Sequence, residues 1–454
     1  MGWNSWNHFR GNIDANKFKA IVDAFVTSGL RDAGYRYLVI DDGWMGTSRD
    51  KDGNLVPVAS KFPSGMKALG DYAHAKGLKF GIYSCPTKKT CMYRAGGYGH
   101  EAQDARAFAS WGVDFLKYDW CGVQSGEDAN GGVAVAEVKR RFAEMRDALK
   151  ATGRPIVYSL SEKGQGTRGV VPGTWQDTVG HMWRIGYDIN PNWEFITGHI
   201  DQDADLAEYA GPGGWNDPDM MEVGNGLSDA ENRMHFSAWC ILAAPLMIGN
   251  DPSSMTAAVK DVLTNKEAIA VDQDSLGAQG VRIKGKGALE VWVKPLAGGD
   301  KAVMFLNRTS ATATISVQWT DSLIRWGAGA KVNVRDLWKH SDSLVVAQGL
   351  SAQVPSHDAA LFRLKRSQVS ALRDGGSRSG LVLAWTGRGP GLFLPPEEKA
   401  GLASFLDFRG RVLFSLPVRG GWNALPGPFL ERGVVCVRIA NPDHVFVRRL
   451  ALSR

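Results

Sequence analysis

Residues 13 to about 274 alternate two kinds of hydrophobic spacing. Stretches with apolar positions at helical intervals, such as Phe18, Ile21, Val22 and Phe25 behind an N-capping Asp14 and ahead of Gly29, are separated by short continuous apolar runs of β type. That alternation predicts βα units around a parallel sheet. The runs share a second property, since each turns polar at its C-terminal end. Tyr37–Ile40 leads into Asp41 and Asp42, and Phe80–Tyr83 into Ser84. Phe115-Leu116 leads to Lys117 and Asp119, and Ile156–Tyr158 to Ser159 and Glu162. Met182-Trp183 leads to Arg184 and Asp188, Trp215 to Asn216, Asp217 and Asp219, and Leu246–Ile248 to Asn250 and Asp251. With Met1–Ser5 there are eight such runs. Parallel strands are buried on both faces and need no polar residues of their own, so polar groups gathered at one end mark a shared rim. In a (β/α)₈ barrel that rim is the mouth where active sites are built. The competing architecture is an open doubly wound sheet, disfavoured because no GxGxxG or P-loop turn follows the first strand.

After a helical stretch at 255–274 the pattern changes to short alternating strands, Leu289–Val293, Lys301–Asn307, Ala313–Gln318, Lys331–Asp336 and Ala359–Leu364, separated by turns rich in Gly, Asp and Ser. They predict an antiparallel β-sandwich over 281–366, behind a barrel over 1–280. Residues 367–454 open on a loose Arg373–Arg378 stretch and continue with isolated apolar runs such as Val445-Phe446-Val447. This Arg/Gly-rich extension carries no visible chemistry. It reads as an extra module, an unstructured extension or an out-of-frame translation, with the last two preferred.

Composition narrows the function. The chain has 454 residues, 44% of them hydrophobic, so it is neither disordered nor fibrous, and no apolar run approaches the roughly 20 residues that span a bilayer. The net charge of +6 resides in the extension, which holds 12 Lys+Arg against 6 Asp+Glu. Residues 1–366 balance 41 against 41, which argues for an uncharged small-molecule partner and against nucleic acid. A nucleic-acid role for the extension is the remote alternative. Five cysteines show no CxxC zinc pair and leave room for at most one bridge. Met1 opens straight into Gly2-Trp3-Asn4-Ser5-Trp6, with no charged segment followed by an apolar one, so no signal peptide is encoded and the natural start is expected further upstream.

Several strand-end groups could carry chemistry. Lys117 and Asp119, two apart on one strand, share a face, so the ammonium stabilises an ionised carboxylate of the kind a nucleophile requires. Asp188 ends the run Trp183–Asp188, where aromatic neighbours are expected to desolvate it and favour the protonated form that a general acid needs. Two carboxylates in contrasting environments facing one pocket are the equipment of glycosidic bond cleavage. Asp41 and Asp42 are adjacent, so both reach the pocket only if the chain is already turning. Without the oxygen-ligand spacing of a hard-metal loop they suit sugar hydroxyls better than a cation. Trp3, Trp6, Trp44, Tyr83, Trp120, Trp183 and Trp215 fall near strand ends, either as stacking surfaces for sugar C–H faces or as core. No GxSxG, GxxxxGK[ST] or HExxH motif supports serine-hydrolase, phosphoryl-transfer or zinc chemistry.

Met1–Asn7 (MGWNSWN), Tyr37–Trp44 with its IDDGW, Lys79–Tyr83 (KFGIY), Gly112–Cys121 (GVDFLKYDWC), Trp183–Ile189 (WRIGYDI) and Gly214–Met220 (GWNDPDM) together resemble the clan D α-galactosidases of glycoside hydrolase family 27. The resemblance implies a retaining mechanism that needs no metal or organic cofactor. Asp119 takes the position of the nucleophile and Asp188 that of the acid/base. Asp41 and Asp42 take those of the carboxylates on galactose O4 and O6. Lys117, Arg184 and Asp219 match other sugar contacts, Trp3 and Tyr83 the pocket wall, and Cys91 and Cys121 a disulfide beside the nucleophile. It also implies a galactose-containing saccharide as substrate and an exported protein, secreted or periplasmic. The sequence departs from relatives at Ser159–Gly164, which faces the sugar C2 substituent. Ser161 and Lys163 there leave α-N-acetylgalactosaminidase as the alternative activity, and a non-catalytic galactose-binding relative is the alternative of another class.

Overall fold

The computed structural model describes residues 1–127, 132–162, 170–345 and 347–367, and beyond these the strands between 382 and 450 with a few flanking residues. Eight strands, β1 (Gly2–Asn4), β2 (Tyr37–Ile40), β3 (Lys79–Ser84), β4 (Phe115–Asp119), β5 (Val157–Ser161), β6 (Met182–Arg184), β7 (Trp215–Asp217) and β8 (Met247–Ile248), form one parallel sheet. Their order is β7-β6-β5-β4-β3-β2-β1-β8. The free edges meet through Met221, just past β7, which bridges Ile248. Met221 N donates to Met247 O at 2.7 Å and Gly249 N to Met221 O at 2.9 Å. The sheet is therefore a closed (β/α)₈ barrel, and each of the eight runs supplies one strand.

Pleating explains why the polar residues collect where they do. Val39, Phe115, Met182, Met220 and Met247 form a separate apolar cluster inside the barrel, with Tyr37, Val157 and Trp215 against it. Two residues further along the same strands come Asp41, Lys117, Ser159, Arg184 and Asp217, and two beyond those Asp119 and Ser161. Alternate positions point the same way, so an apolar inner layer at the floor passes directly into a polar layer at the mouth. The intervening Leu38, Ile40, Leu116, Tyr118, Tyr158, Leu160 and Trp183 are buried in the main core with the surrounding helices. Strand spacing leaves no room for a side chain at Gly2, where a Cβ would lie 2.2 Å from Tyr37 O.

The second half of the same compact unit, which runs Met1–Gln368, is antiparallel. Its strands are β9 (Val281–Lys284), β10 (Leu289–Pro295), β11 (Lys301–Asn307), β12 (Ala313–Gln318), β13 (Val332–Asp336), β14 (Ser341–Val345), β15 (Gly349–Val354) and β16 (Ala359–Arg366). They pair as a six-stranded sheet, β14-β13-β16-β11-β10-β9, and a two-stranded one, β12-β15. Val291, Val293, Phe305, Val317, Trp319 and Phe362 lie in the core they share. Strands β9, β14 and β15 escape sequence reading. In β14 the first four residues are exposed, so no alternation is written into it.

Val369–Arg454 is a separate compact unit. Val382–Thr386, Gly389–Leu394 and Gly421–Ala424 form one antiparallel sheet. Gly401–Leu406, Val412–Val418, Val435–Ala440 and Val445–Leu450 form another. The expectation of an unstructured extension is corrected for these strands, because the apolar runs find antiparallel partners, Val445-Phe446-Val447 included. Arg373–Arg378 lies outside the described residues.

One buried acid beneath the barrel wall yields a stability prediction. Asp203 is fully buried; Gln279 Nε2 donates to its Oδ1 at 3.2 Å, and Oδ2 has no hydrogen-bond partner. Burial, with a smaller push from the charge of Asp217, raises its carboxyl to about 8. The folded state then holds a proton that the unfolded chain releases near pH 4, so this contribution is complete at low pH and is lost as pH rises through about 8. Asp42, Asp217 and Asp272, raised to about 6 chiefly by burial, act in the same direction over a lower range. The Tm is therefore expected to fall from pH 6.5 to pH 8, at up to about 1.4 kcal/mol of stability per pH unit from Asp203. Asp203→Asn should flatten that fall, and thermal unfolding at pH 5, 6.5 and 8 checks it. An unchanged slope contradicts the assignment.

Candidate active site

Two buried cations organise the mouth of the barrel. Lys117 on β4 donates to Asp41 Oδ2 at 2.8 Å. Burial disfavours its ammonium, but the carboxylates of Asp41, Asp119, Asp188 and Asp219 outweigh that and hold it above the ordinary lysine range. Arg184 on β6 contacts Asp219 Oδ2 at 2.9 Å and Asp188 Oδ1 at 3.2 Å. It too stays charged against burial, through Asp219, Asp188, Asp217 and Asp119. Lys117 and Arg184 line one cavity, with Asp119 two residues past Lys117 on β4 and Asp188 on the loop past β6 paired to Arg184.

Asp119 is buried beside Tyr83, its register neighbour Ser161 and the disulfide. Tyr83, paired with Lys117 across β3 and β4, donates its hydroxyl to Asp119 Oδ2 at 3.0 Å. Burial, then the charge of Asp119, keeps that phenol protonated far above its usual range, so it remains a donor. Trp44 fixes the same strand by donating Nε1 to Tyr83 O at 2.8 Å. Cys91 and Cys121 are bonded to each other, with Cys91 Sγ 3.5 Å from Asp119 Oδ2 and Cys121 Sγ 3.2 Å from the Tyr83 hydroxyl. Cys91, Asp119 and Cys121 are the one group among the described residues with the proximity of metal ligands, but both sulfurs are engaged in the disulfide.

Asp41 and Asp42 behave differently, as the pleat requires. Asp41 faces inward, taking Lys117 and Asn4 Nδ2, the latter at 2.8 Å, on one oxygen. Asp42 turns toward the neighbouring loop, where its carboxylate accepts Gly43 N at 2.7 Å and Met92 N at 2.8 Å and bonds the Thr90 side chain. It therefore anchors the residues on both sides of Cys91 while lying beside the pocket.

Lys117, Ser161, Arg184 and Asp219 line a cavity floored by Phe115, Met182 and Met247. Ser161 Oγ and Arg184 Nε are buried there without a protein hydrogen-bond partner, so both have capacity for a ligand hydroxyl. Lys163 lies outside the described residues.

One expectation is corrected, that for Asp188, and two aromatic residues of the first strand are placed as follows. Trp3 is fully buried, pairs in register with Leu38 of the helix-facing layer, and donates Nε1 to Asn250 O at 2.8 Å. It packs in the main core with the surrounding helices. Trp6, three residues on, is half-buried against the inner apolar cluster instead. Asp188 is not desolvated by aromatic residues, because it lies on the loop past β6 with its side chain 48% exposed and paired to Arg184.

Residues 1–274 match the family model of α-galactosidase A (melibiase), and residues 286–364 that of the α-galactosidase C-terminal β-sandwich domain. The chain belongs to the α-galactosidase family. It is 47% identical over 367 residues to an α-galactosidase of Oryza sativa subsp. japonica, covering 80% of this chain and 84% of that one. α-Galactosidase I of Mortierella vinacea superposes with a TM-score of 0.75 at 33% identity, over 80% of this chain and 96% of the other. The α-galactosidase of Saccharomyces cerevisiae solved with raffinose gives 0.71 at 27%, over 81% and 97%.

Within this α-galactosidase frame, sequence reading missed three contributors. Asn4 holds Asp41, and its place two positions past Gly2 on the same strand face was the available signal. Asp217 lines the cavity and takes the amide of Asp219 at 2.9 Å. Glu222, past β7, is raised to about 7 mainly by burial and gathers Asn7 of the β1 loop and Asn225 on its two oxygens. Nothing local in sequence marks that pairing, since Asn7 and Glu222 meet only because the barrel closes.

Proposed function

We propose that this protein is a retaining α-galactosidase that removes terminal α-D-galactosyl residues from saccharides through a covalent glycosyl-aspartate. The observation that carries the reading is the single cavity lined by Lys117 and Arg184, with Asp119 two residues past Lys117 on its strand and Asp188 paired to Arg184 at 3.2 Å. Asp119, buried with the Tyr83 hydroxyl on one oxygen, is the nucleophile. Asp188, on the exposed lip of the mouth, is reached by water and by a leaving group, as an acid/base must be in both half-reactions. In the first, Asp119 attacks the anomeric carbon while Asp188 gives its proton to the departing oxygen. In the second, Asp188 takes a proton from water as that water displaces Asp119. Asp41, with its remaining lone pairs, and the Lys117 ammonium suit the galactose hydroxyls.

Ser159 and Ser161 keep the wall beside Asp119 small, which favours α-N-acetylgalactosaminidase as the second reading. Comparing kcat/KM on nitrophenyl α-galactoside and nitrophenyl α-N-acetylgalactosaminide decides between them. At least a tenfold preference for the first is expected, about 1.4 kcal/mol in the transition state. The reverse order assigns the second activity, and no release of nitrophenol from either makes the chain a sugar-binding relative. The disulfide fits export to an oxidising compartment.

A further inference from the structure

The acid/base loop is held from a neighbouring strand by a turn of unusual backbone. Asp219 has φ of 81°, a left-handed conformation that only Gly adopts without strain. Its side chain and backbone are used on all sides. Oδ1 accepts Met220 N at 2.8 Å and its carbonyl accepts Trp239 Nε1 at 2.9 Å. Oδ2 accepts Ile189 N at 2.9 Å and meets Arg184 at 2.9 Å. Ile189 is the residue after Asp188, and Arg184 is the residue whose other nitrogen holds Asp188 Oδ1. One carboxylate oxygen of Asp219 thus fixes both the backbone next to the acid/base and the cation on it. The loop is pinned further at Tyr187 O by Arg184 at 2.6 Å and His199 Nε2 at 2.8 Å.

The turn in turn depends on Asp217. Its Oδ1 accepts the amide of Asp219 at 2.9 Å, and its own carbonyl accepts Ile185 N at 3.1 Å, at the start of the acid/base loop. Asp217 is buried and is coupled electrostatically to Arg184 and Asp219. We infer that Asp217 is a positioning residue for the general acid, holding Asp219 in its strained turn so that Ile189 and Arg184 aim Asp188 at the leaving oxygen. This deepens the galactosidase reading and rests on it.

Leaving groups of different basicity separate positioning of the acid from general damage. A sugar alkoxide leaves only with a proton, whereas fluoride or dinitrophenolate needs little help. Asp217→Ala should lower kcat/KM roughly 30-fold or more on an α-galactosyl disaccharide and less than about 3-fold on α-galactosyl fluoride, with the inhibition constant for galactose nearly unchanged. Asp217→Asn keeps an oxygen for the Asp219 amide and should restore most of the disaccharide rate. Equal losses on both substrates, or a galactose inhibition constant raised in step with the rate loss, would overturn the inference by making Asp217 structural or a sugar contact. Failure of Asn to rescue relative to Ala, in variants with matched Tm, overturns it as well. Failure of the underlying reading is distinct, for the wild-type protein would then not turn over α-galactosyl fluoride at all.

Discussion

Asp119→Asn is expected to lower turnover of nitrophenyl α-galactoside by roughly 10⁴-fold, about 5.4 kcal/mol of transition-state stabilisation, while galactose binds within a few-fold of the wild type. The amide cannot form the glycosyl ester, yet it fills the same volume and still offers an oxygen to the Tyr83 hydroxyl, which lies 3.0 Å from the carboxylate in the native site. The pocket therefore survives while the chemistry stops. Asp119→Ala gives the sharper diagnosis. It opens space beneath the anomeric carbon, so azide can attack directly and yield β-galactosyl azide by a single displacement. Turnover of Asp119→Asn near the wild-type rate, or an α-azide from Asp119→Ala, would show that another residue is the nucleophile.

Asp188→Ala should produce the second largest effect, with a loss of about 10²–10⁴-fold that depends on the substrate. With dinitrophenyl α-galactoside the first step proceeds without an acid, and the enzyme should stall as the glycosyl-aspartate because no base activates water. Azide needs no base. It should restore the rate and yield α-galactosyl azide, the outcome of two inversions. The exposure of Asp188 at the lip of the mouth is what lets an external anion take the place of water. An unchanged rate, or a β-azide from this variant, would remove Asp188 from the acid/base role. The two azide products together test the assignment of roles, since exchanging the roles exchanges the anomers.

Most of the architecture, and the strand-end carboxylates of the candidate site, are legible in the sequence for a local reason. In a parallel barrel the strand residues at i, i+2 and i+4 share the inner face, so Phe115, Lys117 and Asp119 are written as floor, cation and proposed nucleophile on one strand. Tyr83 follows from the same alternation, because its register partner is Lys117. Along β1 the same alternation sets Trp3 in register with Leu38 while Asn4, one residue on, lines the cavity. The tail misled because short apolar strands separated by Gly, Arg and Pro show no core until their antiparallel partners are known.

What the chain by itself determined is the set of strands, the polar rim and the identity of the carboxylates, because those depend on spacing within single segments of backbone. Only the tertiary structure decided which charge meets which. Lys117 gives its hydrogen bond to Asp41, 76 positions away in sequence. Arg184 joins Asp188 of its own loop to Asp219 of the next strand. Asp42 is drawn off to anchor the Cys91 turn, and Asp188 stands in solvent instead of among aromatic rings. Burial and electrostatic pairing are properties of distances between segments. Closing the sheet through Met221 and Ile248 sets those distances, and no stretch of sequence taken alone contains them.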